Sequence, residues 1–406
     1  MHPNSADHAR TDRAQPARTR AAALAGALCV AVAALLTAPV PAPAAPAHVV
    51  GFAEGGTLLT KSPATLDRDF AAARRLGMTW VRVEINWRIV ENRRGRYDWR
   101  NVDKVVGSAR RHGLSVLGLV TFAPPWAADP AGAFLPGSRP KDTAAFGRFA
   151  GIAAGRYARS ISTWEVWNEP NLPLFFSPRP DTGIYGRVLR AAYPAIKAAR
   201  PGATVLSAGL SVANDTAATI APRTFVRRLY DQGLRRYFDG IALHPYTFPY
   251  TPATDPNGNW ADITEVRSVM LARGDAGKKI WITEFGAPTG TAADAVSPAR
   301  QAVILREAIT TARRLPYVAQ PFFVYTIRDT GPNAANREDN FGLLRANGSQ
   351  KPAAARRNIG NAVHNSNVVC VGERIRFRNN HWVLNIRKID DLNAMRSIRK
   401  NDVLPI

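Results

Sequence analysis

From residue 49 onward the chain alternates between short apolar runs rich in β-branched and aromatic residues and longer stretches whose apolar positions recur every three to four residues. The first unit shows how the pattern reads. Residues 49–53 are an apolar run, Ser62-Pro63 supplies a helix N-cap with proline in the first turn, Leu66, Phe70 and Leu76 share one face, and Gly77 stops the helix. The same rhythm predicts strands over 79–85, 115–121, 162–167, 204–208, 237–243, 279–283 and 320–327. Between and after them it predicts helices over 101–112, 143–157, 182–199, 224–234, 262–273, 298–314 and 351–363. Strands and helices in strict alternation imply a parallel sheet covered by helices. Eight such units in about 250 or more residues is the size of an α/β fold of the (β/α)8 TIM-barrel type. A doubly wound open sheet fits less well, because no glycine-rich phosphate loop follows the first strand.

The two ends depart from this rhythm. Arg10, Arg13, Arg18 and Arg20 precede an apolar run over 21–38, followed by Ala42-Pro43-Ala44 and Ala45-Pro46-Ala47. A basic start, a short apolar centre and small residues describe a secretory signal peptide over 1–47, with a retained membrane anchor as the alternative. Leu28 before Cys29 does not suit a lipoprotein signal. Cleavage leaves Cys370 as the single thiol, so the exported chain is expected to rely on core packing rather than a disulfide. Residues 48–363 are expected to form the barrel. Residues 364–406, rich in Arg, Asn and Asp with apolar pieces at 367–371 and 381–386, form a basic tail or a small appended segment. The net charge of +23 comes from 54 basic and 31 acidic residues spread along the chain rather than clustered between aromatics, which argues against a nucleic-acid partner.

The chemistry concentrates at two strand ends. Thr163-Trp164-Glu165-Val166-Trp167-Asn168-Glu169-Pro170-Asn171 is an apolar run stopping on a carboxylate before a proline, and Lys279 to Phe285 is a second with Glu284 near its carboxyl end. Barrel enzymes place their chemistry where strands hand over to loops, and two strand-end glutamates are the minimum equipment for breaking a glycosidic bond.

Trp167-Asn168-Glu169-Pro170-Asn171 and Thr283-Glu284-Phe285-Gly286, together with Arg82, His244-Pro245-Tyr246, the 325–331 segment and the 340–344 segment, resemble the retaining glycoside hydrolases of clan A, families 39 and 5 most closely. The resemblance implies a secreted enzyme acting on a β-linked poly- or oligosaccharide, with Glu169 as acid/base, Glu284 as nucleophile, and no cofactor or metal. Arg82, His244 and Tyr246 are then placed to donate toward Glu284 and keep it charged, while the negative charge of Glu284 keeps Glu169 protonated. Asn168 fits a hydrogen bond to a sugar 2-hydroxyl. Trp87, Trp126 and Tyr325 are either stacking platforms for sugar rings or rim packing. Glu84 and Glu165 are expected inside the barrel or in structural roles. Tyr325 stands where many clan A enzymes carry a tryptophan; Arg328 behind it is expected to pair with Asp329 rather than face an anionic sugar. A non-catalytic carbohydrate-binding barrel and a transglycosylase are the alternative functions.

Overall fold

The computed structural model describes residues 49–355, 376–378 and 381–383. Eight strands form one sheet: β1 (Val50–Ala53), β2 (Trp80–Asn86), β3 (Ser115–Thr121), β4 (Ile161–Val166), β5 (Thr204–Ser211), β6 (Gly240–His244), β7 (Lys279–Ile282) and β8 (Phe322–Tyr325). They run in the order β7-β6-β5-β4-β3-β2-β1-β8, and every bonded pair is parallel. The β7/β8 seam is drawn together by flanking backbone. Ile280 donates to the Tyr317 carbonyl (2.9 Å), Ala319 donates to Ile280 (2.7 Å), and Tyr325 donates to Phe285 (2.9 Å). Among the described residues seven helices of ten or more residues fill the connections: α1 (Pro63–Arg75), α2 (Arg100–Arg111), α3 (Thr143–Arg156), α4 (Thr182–Ala199), α5 (Pro222–Asp231), α6 (Asp262–Ala272) and α7 (Pro298–Arg314). This is the expected (β/α)8 architecture.

The strands are apolar on both faces because both faces are buried. Outward residues such as Val50, Phe52, Val81, Val83, Trp164, Val166, Ile241, Ile280 and Val324 pack against the helices in one continuous core. Alternate residues point into the lumen, where Ala53, Leu117, Leu206, Ala242 and Phe323 pack with Trp80, Trp281 and Tyr325. Gly51 of β1 makes room for these rings, since a Cβ there would lie 2.8 Å from both the Phe323 ring and Trp80.

Local signals fix the helix ends. Ser62 accepts from the Thr65 N–H (3.2 Å) with Pro63 in the first turn of α1, and Ser297 with Pro298 repeats the device at α7. The helix expected over 224–234 begins earlier, at Pro222, and ends at Asp231, because Gly233 turns left-handed (φ 70°) and a 3-10 turn, Leu234–Tyr237, follows. That turn uses the first residues of the expected 237–243 strand, so β6 starts at Gly240. Of the expected helix over 351–363, the described part is a 3-10 turn, Pro352–Ala354, with Ala353 and Ala354 fully buried. The rest of that helix, the expected signal peptide over 1–47, and Cys29 and Cys370 lie outside the described residues. Within 364–406, Arg376–Arg378 pairs antiparallel with His381–Val383. Among the described residues no helix is long and apolar enough to cross a membrane.

Phe70 of α1 is fully buried and meets Phe52 of β1 edge to face at 5.7 Å, so it locks the first βα unit. Replacing Phe70 with Ala is expected to cost about 3–5 kcal/mol of stability, the usual range for emptying such a site. Chemical denaturation of the two proteins checks this.

Candidate active site

The site is built where β4 leaves the sheet. Trp167 and Glu169 both have positive φ (78° and 44°), a region that residues with a side chain rarely enter. Such strain, of order 1–3 kcal/mol per residue, persists only where surroundings over-determine it. Here they do: the Trp167 N–H donates to Val120 (2.8 Å), its indole Nε1 donates to the Phe175 carbonyl (2.7 Å), and the Glu169 N–H donates to Gly209 (2.9 Å). The Trp167 ring is fully buried against Phe122, Phe146 and Phe176. The buried indole thus acts as an anchor that turns the next residues toward the barrel axis.

Arg82 of β2 lies at the centre of the polar cluster. Its Nε donates to Glu165 Oε2 (2.7 Å) and its Nη2 to Glu165 Oε1 (3.0 Å), a two-point pair with β4. The same guanidinium donates through Nη1 to Glu284 Oε1 (2.5 Å) and through Nη2 to Asn168 Oδ1 (2.8 Å). The Tyr246 hydroxyl donates to Glu284 Oε2 (2.9 Å), so both Glu284 oxygens are held. His244, with no exposed surface, lies with Nδ1 2.8 Å from Glu169 Oε1 and 3.7 Å from Glu284 Oε2. Its Nε2 is 3.0 Å from Thr283 Oγ1, which donates to Glu165 Oε1 (3.3 Å). Since the threonine hydroxyl donates to the carboxylate, its lone pair faces the imidazole, and His244 carries its proton on Nε2. Gly209 is needed beside it, because a Cβ would come within 2.1 Å of His244 Nε2.

These contacts separate the charges. Burial pushes the Glu284 carboxyl up, but the charges of His244 and Arg82 and the hydrogen bonds from Tyr246 and Arg82 outweigh it, leaving the group below its ordinary value. His244 moves the other way: burial pulls it down, and the charge of Glu284 with the bond and charge of Glu169 raise it above an ordinary histidine. Tyr246 is raised well above its usual value by burial and by Glu284, so it stays a hydrogen-bond donor.

Six residues expected from sequence, Glu169, Glu284, Asn168, Arg82, His244 and Tyr246, therefore meet in one cluster. Tyr325 joins them from the lumen, edge to face with Tyr246 at 6.4 Å. Trp126 sits apart, its Nε1 donating to the Glu91 carbonyl (2.8 Å) and its ring edge to face with Trp87. Trp87 is fully buried and donates to Glu91 Oε2 (2.6 Å), the geometry of packing rather than of a stacking platform. Arg328 does not pair with Asp329. Its Nε donates to Asp69 in the middle of α1 (2.6 Å), while Asp329 takes Lys351 (2.6 Å), because the loop after β8 folds back over α1. Glu84 is buried with Asn86 Nδ2 donating to it (2.7 Å), and burial raises its carboxyl. Thr283 and Gly209 carry roles that the strand pattern did not signal. Among the described residues, Glu169, His244 and Glu284 offer donor atoms within 4.8 Å of one another, a set with metal-ligand character. The Arg82 guanidinium against Glu284 opposes a second cation there.

No protein-family profile matches the chain, and no curated protein sequence matches it. Solved structures do match in fold. A family 39 glycoside hydrolase from the gut symbiont Bacteroides cellulosilyticus WH2 aligns with a TM-score of 0.61 at 23% identity, over 77% of this chain and 63% of that one. A monomeric β-xylosidase from Caulobacter crescentus CB15 aligns at 0.59 and 19%, over 77% and 66%, and an exo-β-1,4-mannosidase from Opitutaceae bacterium strain TAV5 at 0.54 and 19%, over 79% and 61%. The chain thus spans less than two thirds of the length of the first of these, and the likeness is one of fold.

Removing Arg82 tests the electrostatic frame. In the intact protein Glu284 has a depressed pKa, so its contribution to stability is present above the unfolded carboxyl value and is lost as pH falls through the lower folded value. Arg82→Met leaves Glu165 and Glu284 buried without their cation, at an expected cost of about 3–5 kcal/mol at neutral pH. Burial, no longer outweighed by Arg82, then raises the Glu284 carboxyl, so the deficit relative to the parent is expected to shrink as pH is lowered. Denaturation midpoints measured from pH 8 down to pH 4 check both size and sign.

Proposed function

We propose that this chain is a retaining glycoside hydrolase that cleaves O-glycosidic bonds of a β-linked poly- or oligosaccharide by double displacement. The observation that carries the reading is the separation of two unequal carboxylates, whose facing oxygens lie within 4.8 Å. Retaining enzymes hold their carboxyl groups about 5–5.5 Å apart, whereas inverting ones leave about 6.5–9.5 Å for a water molecule. The fold likeness to glycosidases agrees with this class.

Glu284, kept anionic by Arg82, His244 and Tyr246, attacks the anomeric carbon as the bond to the leaving oxygen breaks. Glu169 gives that oxygen its proton, so the leaving group departs as an alcohol and the sugar remains as an ester on Glu284. With His244 protonated on Nε2, its Nδ1 accepts from the Glu169 carboxyl, or carries the proton itself as an imidazolium; in either form the contact stores the proton that the leaving group takes. Glu169 then removes a proton from water as the hydroxide adds to the anomeric carbon and the ester bond breaks, which frees Glu284 as a carboxylate, leaves Glu169 protonated again and restores the original configuration. Asn168, whose Oδ1 is engaged by Arg82, directs its amide donor to the sugar 2-hydroxyl. We assign Tyr325 and Tyr246 to the floor of the sugar pocket. Residues 1–47 direct export and are removed, so protein recovered outside the cytoplasm is expected to begin near residue 45–48 on amino-terminal sequencing.

The two glutamates have unequal tasks, and that is testable. Glu284→Gln is expected to lose turnover by several orders of magnitude for every leaving group. Glu169→Gln is expected to retain its first step with activated aryl glycosides, to fail with natural glycosides, and to be revived by azide with a β-glycosyl azide product. An azide product of inverted configuration, or equal losses in both variants for all leaving groups, overturns the assignment.

A further inference from the structure

The loops that follow β4 and β5 enclose an open cavity of about 310 Å³ on the same end of the barrel as Glu169 and Glu284. Arg179 and Arg228, both exposed, line it; among the described residues neither guanidinium lies within ion-pair distance of a carboxylate, and the charge of Arg228 acts on Asp215 from farther off. Asp181, Thr216 and Thr219, which also line it, are already engaged. Asp181 accepts from the Ile184 N–H (2.8 Å) as the N-cap of α4, and the hydroxyls of Thr216 and Thr219 bond to each other (2.8 Å). Nearby Asp215 is taken by the Ala221 N–H (3.0 Å) and the Thr224 hydroxyl (2.6 Å). Two arginine side chains with donors to spare in a polar, solvent-filled hollow are chemistry for an anion.

The position says which part of a substrate reaches it. A proton donor stands beside the leaving oxygen, so the leaving-group half of a glycan lies on the Glu169 side of the pocket. The chain running on from Glu169 becomes the cavity wall at 179–182. The opposite wall is pinned to the same strand end by Asn171, whose Nδ2 donates to the carbonyls of Ser211 (2.7 Å) and Ile220 (3.0 Å) and whose Oδ1 accepts from the Ser211 N–H (3.1 Å). Ile220 lines the cavity. The hollow is therefore held in fixed relation to the proton donor.

We propose that this cavity is a subsite for an anionic substituent, a carboxylate or a sulfate, on the leaving-group side of the polysaccharide that the enzyme cleaves. The proposal rests on the glycosidase reading above and adds the charge of the substrate.

The test uses the full chain carrying Glu284→Gln, so that ligands are bound and not consumed. Calorimetric titration compares a neutral β-1,4-linked glucose tetramer, the same tetramer oxidised to glucuronate, and a sulfated tetramer. At low salt an anionic tetramer is expected to bind about three- to tenfold more tightly than the neutral one, the gain that one or two partly exposed charge pairs supply. Arg179→Gln with Arg228→Gln is expected to abolish that preference, as is roughly 0.5 M salt, where screening shortens the reach of each charge to a few ångströms. Preference for the glucuronate over the sulfate, or the reverse, identifies the group. Equal binding of neutral and anionic tetramers, or a preference that survives the double substitution, overturns the proposal. Turnover of aryl glycosides by the unsubstituted chain reads the cleavage chemistry separately. If that turnover is absent while the arginine-dependent preference remains, the glycosidase reading falls and the subsite stands.

Discussion

One buried cation holds the catalytic end of this barrel together. The Arg82 guanidinium is almost fully enclosed and divides its donors among Glu165, Glu284 and Asn168, joining β2 to β4 and to the segment after β7. Burying such a charge is costly unless geometry and hydrogen bonding are nearly complete. The two-point pair with Glu165 completes them, which frees the remaining donors to act on Glu284. Glu165 therefore determines how much positive field Glu284 feels. The strained turn through Trp167 and Glu169 depends on the same frame, since Arg82 fixes Asn168 between those two residues.

Much of the fold was legible because a barrel strand advertises itself: apolar residues on both faces, then a glycine, proline or acid where the strand opens into a loop. Glu169 before Pro170 and Glu284 two residues before Gly286 were readable for that reason. Helix limits followed from caps such as Ser62-Pro63 and Ser297-Pro298. The limits that shifted, around Gly233, turned on a left-handed glycine whose effect passes to the next element.

Partnerships were less legible than residues. Arg328 looked paired with its neighbour, yet its carboxylate is Asp69, 259 positions away, and nothing in local spacing records such a contact. Glu165 was readable as an interior acid but not as the partner of Arg82. The aromatic residues divide for a similar reason. Trp87 and Tyr325 look alike in sequence, but the first is spent on a core with Phe146 and Phe149 while the second closes the lumen beneath Tyr246. Only the three-dimensional path of the loops decides which ring meets another ring and which meets open space.

The hydrogen-bonded path from Glu169 through His244, Thr283 and Glu165 to Arg82 and Glu284 has a direction, because Thr283 gives its proton to Glu165 and so receives one from His244. With the proton between Glu169 and His244 removed, a carboxylate oxygen and an imidazole lone pair face each other across 2.8 Å. Two acceptors at that separation repel. Loss of the shared proton thus leaves a repulsion that regaining a single proton relieves.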